Sequence, residues 1–286
     1  MPSDRITSAP GAIPSPQADY VLGSTDRERQ RLMRQGAILR GFLETAFRAA
    51  GIGPGMRVLD IGSGVGDVSF LAADLVGPQG SVVGIDRDPE NVAWATKRAA
   101  GAGRSNISFV TTELTEFVNS QLFDALVGRF ILMYLPDPVA TLRLLSRHLR
   151  SGAAIAFCEP DLTVLSTVVP EVPLLRQCEE WQRDAWRSSG ARVDMGMRLY
   201  HAFRDSGFVD TGLTVSQLSG YGVRRELIEF FVEGVRSMLP KIQQFKIATL
   251  EDVKIDTLAD RIEAQARAVD PQWVSARYIS AWARKP

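Results

Sequence analysis

Apolar positions along this chain follow two alternating rhythms. Leu32, Leu39, Phe42, Leu43, Ala46 and Phe47 recur at helical spacing behind a Thr25/Glu28 capping-box pair, which predicts two helices, or one broken near Gly36. Gly51-Ile52-Gly53-Pro54-Gly55 stops that pattern, and the short apolar run Met56 to Ile61, bounded by glycines, predicts a buried parallel strand. The pattern then alternates: helix 67–76, strand 81–86, helix 89–101, strand 106–111, strand 123–128, helix 137–149 and strand 153–158. Strands separated by helical segments predict right-handed βαβ units on one parallel sheet.

After Pro160 the order changes. Leu175, Cys178, Gln182, Ala185 and Trp186 mark an amphipathic helix, followed by a helix at Leu199 to Phe203 and a strand near 209–217. Helical stretches at Leu227 to Leu239 and 257–269 precede a last strand at 273–283. The segments 161–195 and 222–268 are therefore candidates for a helical cap over the carboxyl edge of the sheet.

Composition narrows the partners. With 33 basic and 33 acidic residues in 286, no net field concentrates a polyanion, so nucleic acid is not the expected partner. The first twenty residues carry Pro2, Pro10, Pro14 and Pro16 but no apolar leader core, and no later run reaches the ~18 apolar residues of a membrane span. Residues 1–19 read as an arm, the setting as cytoplasmic, and Cys158 and Cys178 as reduced thiols. A homodimer is left open.

The chemistry begins at Asp60-Ile61-Gly62-Ser63-Gly64-Val65-Gly66, where the first strand meets a helix. Glycines at such a turn admit a ligand to the backbone, and the helix start offers unpaired N–H donors. The third glycine of a dinucleotide fingerprint is missing, and Asp67 stands where a pyrophosphate would be repelled. Asp60 is placed to compensate the amino or sulfonium cation of an aminoacyl nucleoside. Asp86, twenty residues past Gly66 at the end of the second strand, has the spacing of a ribose-binding carboxylate, with capping of the helix begun at Pro89 as the plainer alternative. Glu113 follows the third strand and offers another acceptor along the same edge.

In order and spacing, Asp60 to Gly66, Gly84-Ile85-Asp86-Arg87, Thr112-Glu113-Leu114 and Phe123 to Gly128 resemble the successive motifs of class I S-adenosylmethionine-dependent methyltransferases. The resemblance covers roughly residues 20–160 and the final strand with Trp282, and the run Tyr20 to Glu28 is similar to a segment of bacterial small-molecule members. It implies a doubly wound, seven-stranded Rossmann-like α/β sheet with a final antiparallel strand. The regions implied are an N-terminal arm and helices over 1–53, a cofactor-binding core over 54–160, and cap insertions with the last two strands over 161–286. It implies S-adenosylmethionine as cofactor and S-adenosylhomocysteine as product. Gly62, Ser63 and Gly64 would line the methionine moiety, Asp86 would bind ribose, Arg87 would lie against adenine, and Glu113 with the Leu114 amide would read the adenine edge. Gly128 and Arg129 would face the methionine amino group, and Tyr20 and Gln35 would fold over the cofactor. Two departures stand out: Glu113 replaces the commoner Asp, and Arg87 puts a cation where an apolar residue often stacks.

Gly128-Arg129-Phe130-Ile131 lacks the Asn/Asp-Pro-Pro-aromatic sequence of enzymes that methylate nitrogens in nucleic acid or protein, which favours a small acceptor. No His, Asp and Glu cluster has metal-ligand spacing, so no metal is expected. Arg129, Tyr134, Glu159 and Asp161 are the candidates for substrate contact, with helix and turn capping as the alternative. His148 and His201 read as helix-surface or packing residues rather than bases. Trp181, Trp186, Phe230, Phe231 and Met238 are expected to surround an apolar or aromatic acceptor whose O, N or C takes the methyl group. The competing class is a protein of this fold that binds the cofactor but catalyses a cyclisation or serves as a non-catalytic partner.

Overall fold

The computed structural model describes residues 26–286; Tyr20, Thr25 and the arm expected over 1–19 lie outside the described residues. Helix α1 (Asp26–Ala49) runs unbroken through Gly36, contrary to the expected break. Packing explains the glycine: a Cβ there would stand 2.5 Å from Asp67 Oδ2, so its absence lets α1 lie against α2 (Asp67–Val76). Between them runs β1 (Arg57–Ile61), and the alternation continues through β2 (Ser81–Asp86), α3 (Pro89–Gly101), β3 (Ile107–Thr111) and β4 (Phe123–Arg129). A 3-10 turn at Leu132–Tyr134 leads to α4 (Pro138–Leu145), shorter than expected because its end tightens into a second 3-10 turn, Ser146–His148. Strand β5 (Leu149–Asp161) follows.

The remaining elements are β6 (Thr167–Val169), α5 (Pro173–Ser188), α6 (Met195–Asp205), β7 (Val209–Ser216), β8 (Ser219–Tyr221), α7 (Arg225–Gln244), α8 (Leu250–Val253), α9 (Leu258–Val269), β9 (Gln272–Val274) and β10 (Arg277–Arg284). The single last strand expected at 273–283 is thus two: β10 joins the main sheet, while β9 pairs with β6 and β8 in a small sheet of its own. The main sheet has seven strands in the order β3-β2-β1-β4-β5-β10-β7, parallel except where β10 runs against β5 and β7. That is the doubly wound arrangement with an antiparallel strand, and the strand order reverses at β1/β4, where such sheets open a ligand crevice.

Alternation along β1 assigns the two faces. Leu59 and Ile61 pack with Leu142 and Leu145 of α4 and Leu199 and Phe203 of α6. Val58 packs with Leu39, Leu43 and Phe47 of α1 and Leu71, Ala72 and Val76 of α2. A third cluster, Cys178, Trp181, Val232, Val235, Met238 and Ile262 among others, joins α5, α7 and α9 into the cap. Among the described residues no helix is long and apolar enough to cross a membrane.

Candidate active site

The turn from β1 into α2 holds Gly62, Gly64 and Gly66 at φ of 62°, 52° and 92°, a left-handed backbone that an L side chain would strain. A Cβ on Gly64 would meet nothing within 4 Å, so the backbone is bare towards the cavity. Below the turn Asp60 is fully buried and accepts the Ser69 hydroxyl at 2.6 Å. Gly84 makes that bond possible: it is Asp60's register partner on β2, and a Cβ on it would stand 2.8 Å from Ser69 Oγ. Asp60 Oδ1 and Ser63 Oγ are buried without a hydrogen-bond partner among the described residues. Burial pushes the Asp60 carboxyl up to about 7. An arriving ammonium or sulfonium would favour its ionised form, so these residues fit the amino-acid end of S-adenosylmethionine.

Asp86 closes the next strand. Its Oδ2 accepts the Gly64 N–H at 2.8 Å and its Oδ1 the Asp88 N–H at 2.9 Å, so one carboxylate ties the glycine turn to the β2 loop. Burial raises its pKa. The cap of α3 is Asp88, which accepts from Glu90 N–H at 2.9 Å; the alternative that Asp86 serves only as that cap does not hold. Arg87, Asn91, Thr112, Glu113 and Leu114 line the same wall. Asp67 sits in the first turn of α2, where the helix dipole favours it, and Arg98 donates to it at 3.0 Å.

At the end of β4 the Arg129 side chain, 9% exposed, lies 3.8 Å from Asp67 Oδ2, and burial lowers its pKa. Phe130 adopts φ 53° without being glycine, donates its N–H to Cys158 O at 3.0 Å, and stacks on Tyr278 with ring centres 5.9 Å apart. Such strain persists only where neighbours hold it, here in the wall of a ligand-sized cavity. From α1, Arg31 and Gln35 reach the same space.

The cavity, about 550 Å3, lies between the carboxyl edge of β1–β5 and the cap. It brings together Gln35, Gly62, Ser63, Gly64, Asp86, Arg87, Glu113, Leu114, Arg129 and Tyr134 from the residues that the sequence singled out. Asp60 and Gly128 do not form its wall: Asp60 lies beneath the floor, and Gly128 leaves room for Phe157, which a Cβ would approach to 2.6 Å.

Two substrate-contact candidates are corrected. Glu159 is fully buried, and its carboxylate accepts the N–H groups of Ile131 at 2.9 Å, Leu132 at 2.8 Å and Met133 at 3.3 Å, fixing the 3-10 turn. Asp161, also fully buried, binds Thr163 and Arg277. Neither reaches the cavity wall. The five expected acceptor residues divide likewise: Trp186, Phe230 and Phe231 line the cavity, whereas Trp181 and Met238 point into the cap core. His148 packs edge-on against Phe117, and His201 is exposed on α6, both away from the cavity.

Sequence reasoning missed Phe130, Tyr278, Gln182 and Glu179 in this wall. Glu179 had a signal: it sits on the apolar stripe of α5, four residues past Leu175 and three before Gln182, where a carboxylate is out of place.

Comparison with known proteins agrees with this geometry. A family model described as a methyltransferase domain matches residues 52–206. Aklanonic acid methyltransferase DauC of Streptomyces sp. (strain C5) is 34% identical over 141 residues, 46% of this chain and 64% of that protein. The 2-phytyl-1,4-naphtoquinone methyltransferase of Synechococcus elongatus is 35% identical over 135 residues, 46% of this chain and 55% of that protein. The matches thus span less than two thirds of either relative. Among solved structures, the YcgJ protein of Bacillus subtilis superposes with a TM-score of 0.53 at 15% identity, covering 85% of this chain and 97% of that one. Phosphoethanolamine N-methyltransferase 2 of Haemonchus contortus, in complex with phosphomonomethylethanolamine and S-adenosylhomocysteine, gives 0.50 at 16% identity over 82% of this chain and 49% of that one. At those identities the likeness is one of fold. With the family model covering more than half of the chain, on a seven-stranded sheet of the matching order, the protein belongs to the class I S-adenosylmethionine-dependent methyltransferases.

Proposed function

We propose that this protein transfers a methyl group from S-adenosylmethionine to an O, N or C atom of a small, apolar or aromatic acceptor. The observation that carries the reading is one cavity with two chemically different walls: the glycine turn with Asp86 and Glu113 on the sheet side, and Trp186, Phe230 and Phe231 on the cap side. Bound there, the cofactor supplies an electrophilic methyl carbon on a sulfonium. Asp86 holds the ribose hydroxyls, Glu113 and the Leu114 amide read the adenine edge, and the buried Asp60 balances the cationic amino-acid end. The cap aromatics exclude water and align the acceptor, and alignment and desolvation alone account for effective molarities of ~10⁵ M or more. Cys158 and Cys178 are free and buried, which suits a reducing cytoplasmic setting.

The test is S-adenosylhomocysteine formation on incubation with S-adenosylmethionine and a panel of small aromatic acceptors. A protein that binds the cofactor tightly and never forms product would instead be a cyclase or a non-catalytic partner. Phe231→Ala is expected to raise acceptor KM by about tenfold while leaving the Kd for S-adenosylhomocysteine within about twofold, as the loss of one buried aromatic contact implies. Equal changes in both would place Phe231 in cofactor binding. His201→Ala should leave kcat within about tenfold, since a lost general base costs ~10²-fold or more. A larger loss with cofactor affinity intact would make His201 part of the chemistry.

A further inference from the structure

Among the described residues, six carboxylates line the cavity: Asp67, Asp86, Asp88, Glu113, Asp137 and Glu179. Five have a place already. Asp67 is engaged by Arg98 and Arg129, Asp88 and Asp137 cap α3 and α4, and Asp86 and Glu113 stand at the nucleoside end. Glu179 alone comes from the cap.

Its surroundings are unusual for a carboxylate. It is 7% exposed and has no ion-pair partner among the described residues, unlike the equally buried Glu28, which pairs with Arg31 at 2.7 Å. The Ser166 hydroxyl donates to Oε1 and the Ser166 N–H to Oε2 at 3.1 Å, so the group is fixed from behind while its other lone pairs remain. The groups with an electrostatic effect on it are Arg176 and Glu180 on its own helix, its neighbour Cys178 and Tyr278 of β10, while Arg183, one turn along α5, and Arg31 of α1 line the same cavity. Burial raises its pKa, and the Ser166 bonds oppose that. A buried carboxylate without a cation is costly to the fold, and in a ligand cavity such a group is a candidate for proton transfer.

Beside it the cap wall is mostly aromatic, with Gln182 and Arg183 as the polar members, and Arg183 is paired with Asp184 at 2.9 Å. Trp186 is held by its Nε1–H, which donates to Tyr134 Oη at 3.1 Å, and Phe230 and Phe231 pack edge to face at 5.8 Å. Gln182, the polar neighbour one turn along, spends its Nε2–H on Cys178 O at 3.3 Å. One strong acceptor in an aromatic slot selects a planar molecule bearing a hydrogen-bond donor.

We propose that Glu179 is the general base of this enzyme and that the acceptor is a planar hydroxyaromatic whose O–H points at its carboxylate. This rests on the methyltransferase reading above and specifies its acceptor atom. The hydroxyl oxygen attacks the methyl carbon; the C–O bond forms as the C–S bond breaks, the bonding pair stays on sulfur, and the proton passes to the Glu179 carboxylate and later to solvent. Because a carboxylate with a raised pKa becomes ionised only at higher pH, kcat/KM should fall on the acid side at a pH above the ordinary carboxylate range.

The experiment uses 2-naphthol, 4-nitrophenol and naphthalene as probes with the full chain. In the presence of S-adenosylhomocysteine, wild type should bind 2-naphthol at least about tenfold tighter than naphthalene, as a hydrogen bond to a charged group implies, and Glu179→Leu should erase that preference. Glu179→Gln keeps an acceptor for the hydroxyl and for Ser166, so 2-naphthol affinity should stay within about threefold while kcat drops by about 100-fold and the acid limb disappears, as loss of a base without loss of binding requires. With 4-nitrophenol, already ionised near neutrality, the deficit should shrink below about tenfold, since a substrate that carries no proton needs no base. A merely structural Glu179 would move neither the pH limb nor the dependence on acceptor acidity. Unchanged kcat and pH profile in Glu179→Gln, or equal wild-type affinity for 2-naphthol and naphthalene, overturns the inference. In either case S-adenosylhomocysteine formation with other acceptors would leave the methyltransferase reading standing.

Discussion

Replacing Asp86 by alanine is expected to weaken S-adenosylhomocysteine binding by about a hundredfold or more, from the loss of two charge-assisted bonds at ~1.5–3 kcal/mol each. The carboxylate already accepts the Gly64 and Asp88 N–H groups at 2.8 and 2.9 Å, and a carboxylate has lone pairs for about two more donors, which the ribose hydroxyls would supply. The alanine variant therefore loses twice: the ligand loses its acceptor, and the glycine turn loses its tie to the β2 loop. Two measurements separate the losses. Melting without ligand reports the loop, whose two bonds to the same carboxylate are worth ~1.5–3 kcal/mol each. Calorimetric titration reports the ligand. Asp86→Asn, which retains one acceptor oxygen, should fall between wild type and alanine in affinity. Unchanged affinity with a lowered melting temperature would make Asp86 a loop pin alone and would remove the main support for how the cofactor is seated.

The glycine turn was legible because its chemistry is local. Positive φ at Gly62, Gly64 and Gly66 follows from residue type, and the acidic residues at strand ends follow from register on a parallel sheet. What depends on distant atoms was not legible. Gly36 reads as a helix breaker until Asp67 of α2 is known to press against it. The strands β6, β8 and β9 have three residues each, too few for any period to show, and their pairing joins segments more than fifty residues apart. Met238 and Phe231 lie two turns apart on one helix, and only the packing of α7 on α5 decides that the first enters the cap core and the second the cavity. Glu159 and Asp161 do sit at the end of β5 near the active edge, as their sequence position suggests. Their carboxylates were nevertheless claimed by backbone and side-chain donors that no spacing rule reveals.

Glu159→Ala is expected to destabilise the folded protein by on the order of 3 kcal/mol or more, because removing one partner leaves buried donors with their full desolvation penalty. Three N–H groups, those of Ile131, Leu132 and Met133, lose their acceptor together, and the 3-10 turn they begin forms part of the cavity wall. A melting temperature about 5–10 °C below wild type is the corresponding shift for a chain of this size. Glu159→Gln separates shape from charge. Its carbonyl oxygen can take the two short bonds now made to Oε1, while its amide would face only the longer Met133 contact, so most of the stability should return. Charge adds a pH dependence to wild type. Burial pushes Glu159 up from the ordinary 4.5 to about 8, opposed by the three N–H bonds. Between those values the folded protein keeps a proton that the unfolded chain has released, so folding binds protons and stability must fall as pH rises. The contribution is fully present below about 4.5 and is lost as pH climbs through about 8, at up to ~1.4 kcal/mol per pH unit for one proton. The glutamine variant has no such proton. Melts of both proteins from pH 5 to 9 should therefore show wild type losing ground to Glu159→Gln with increasing pH, and parallel curves would mean that the three N–H groups hold the folded carboxylate in its charged form throughout.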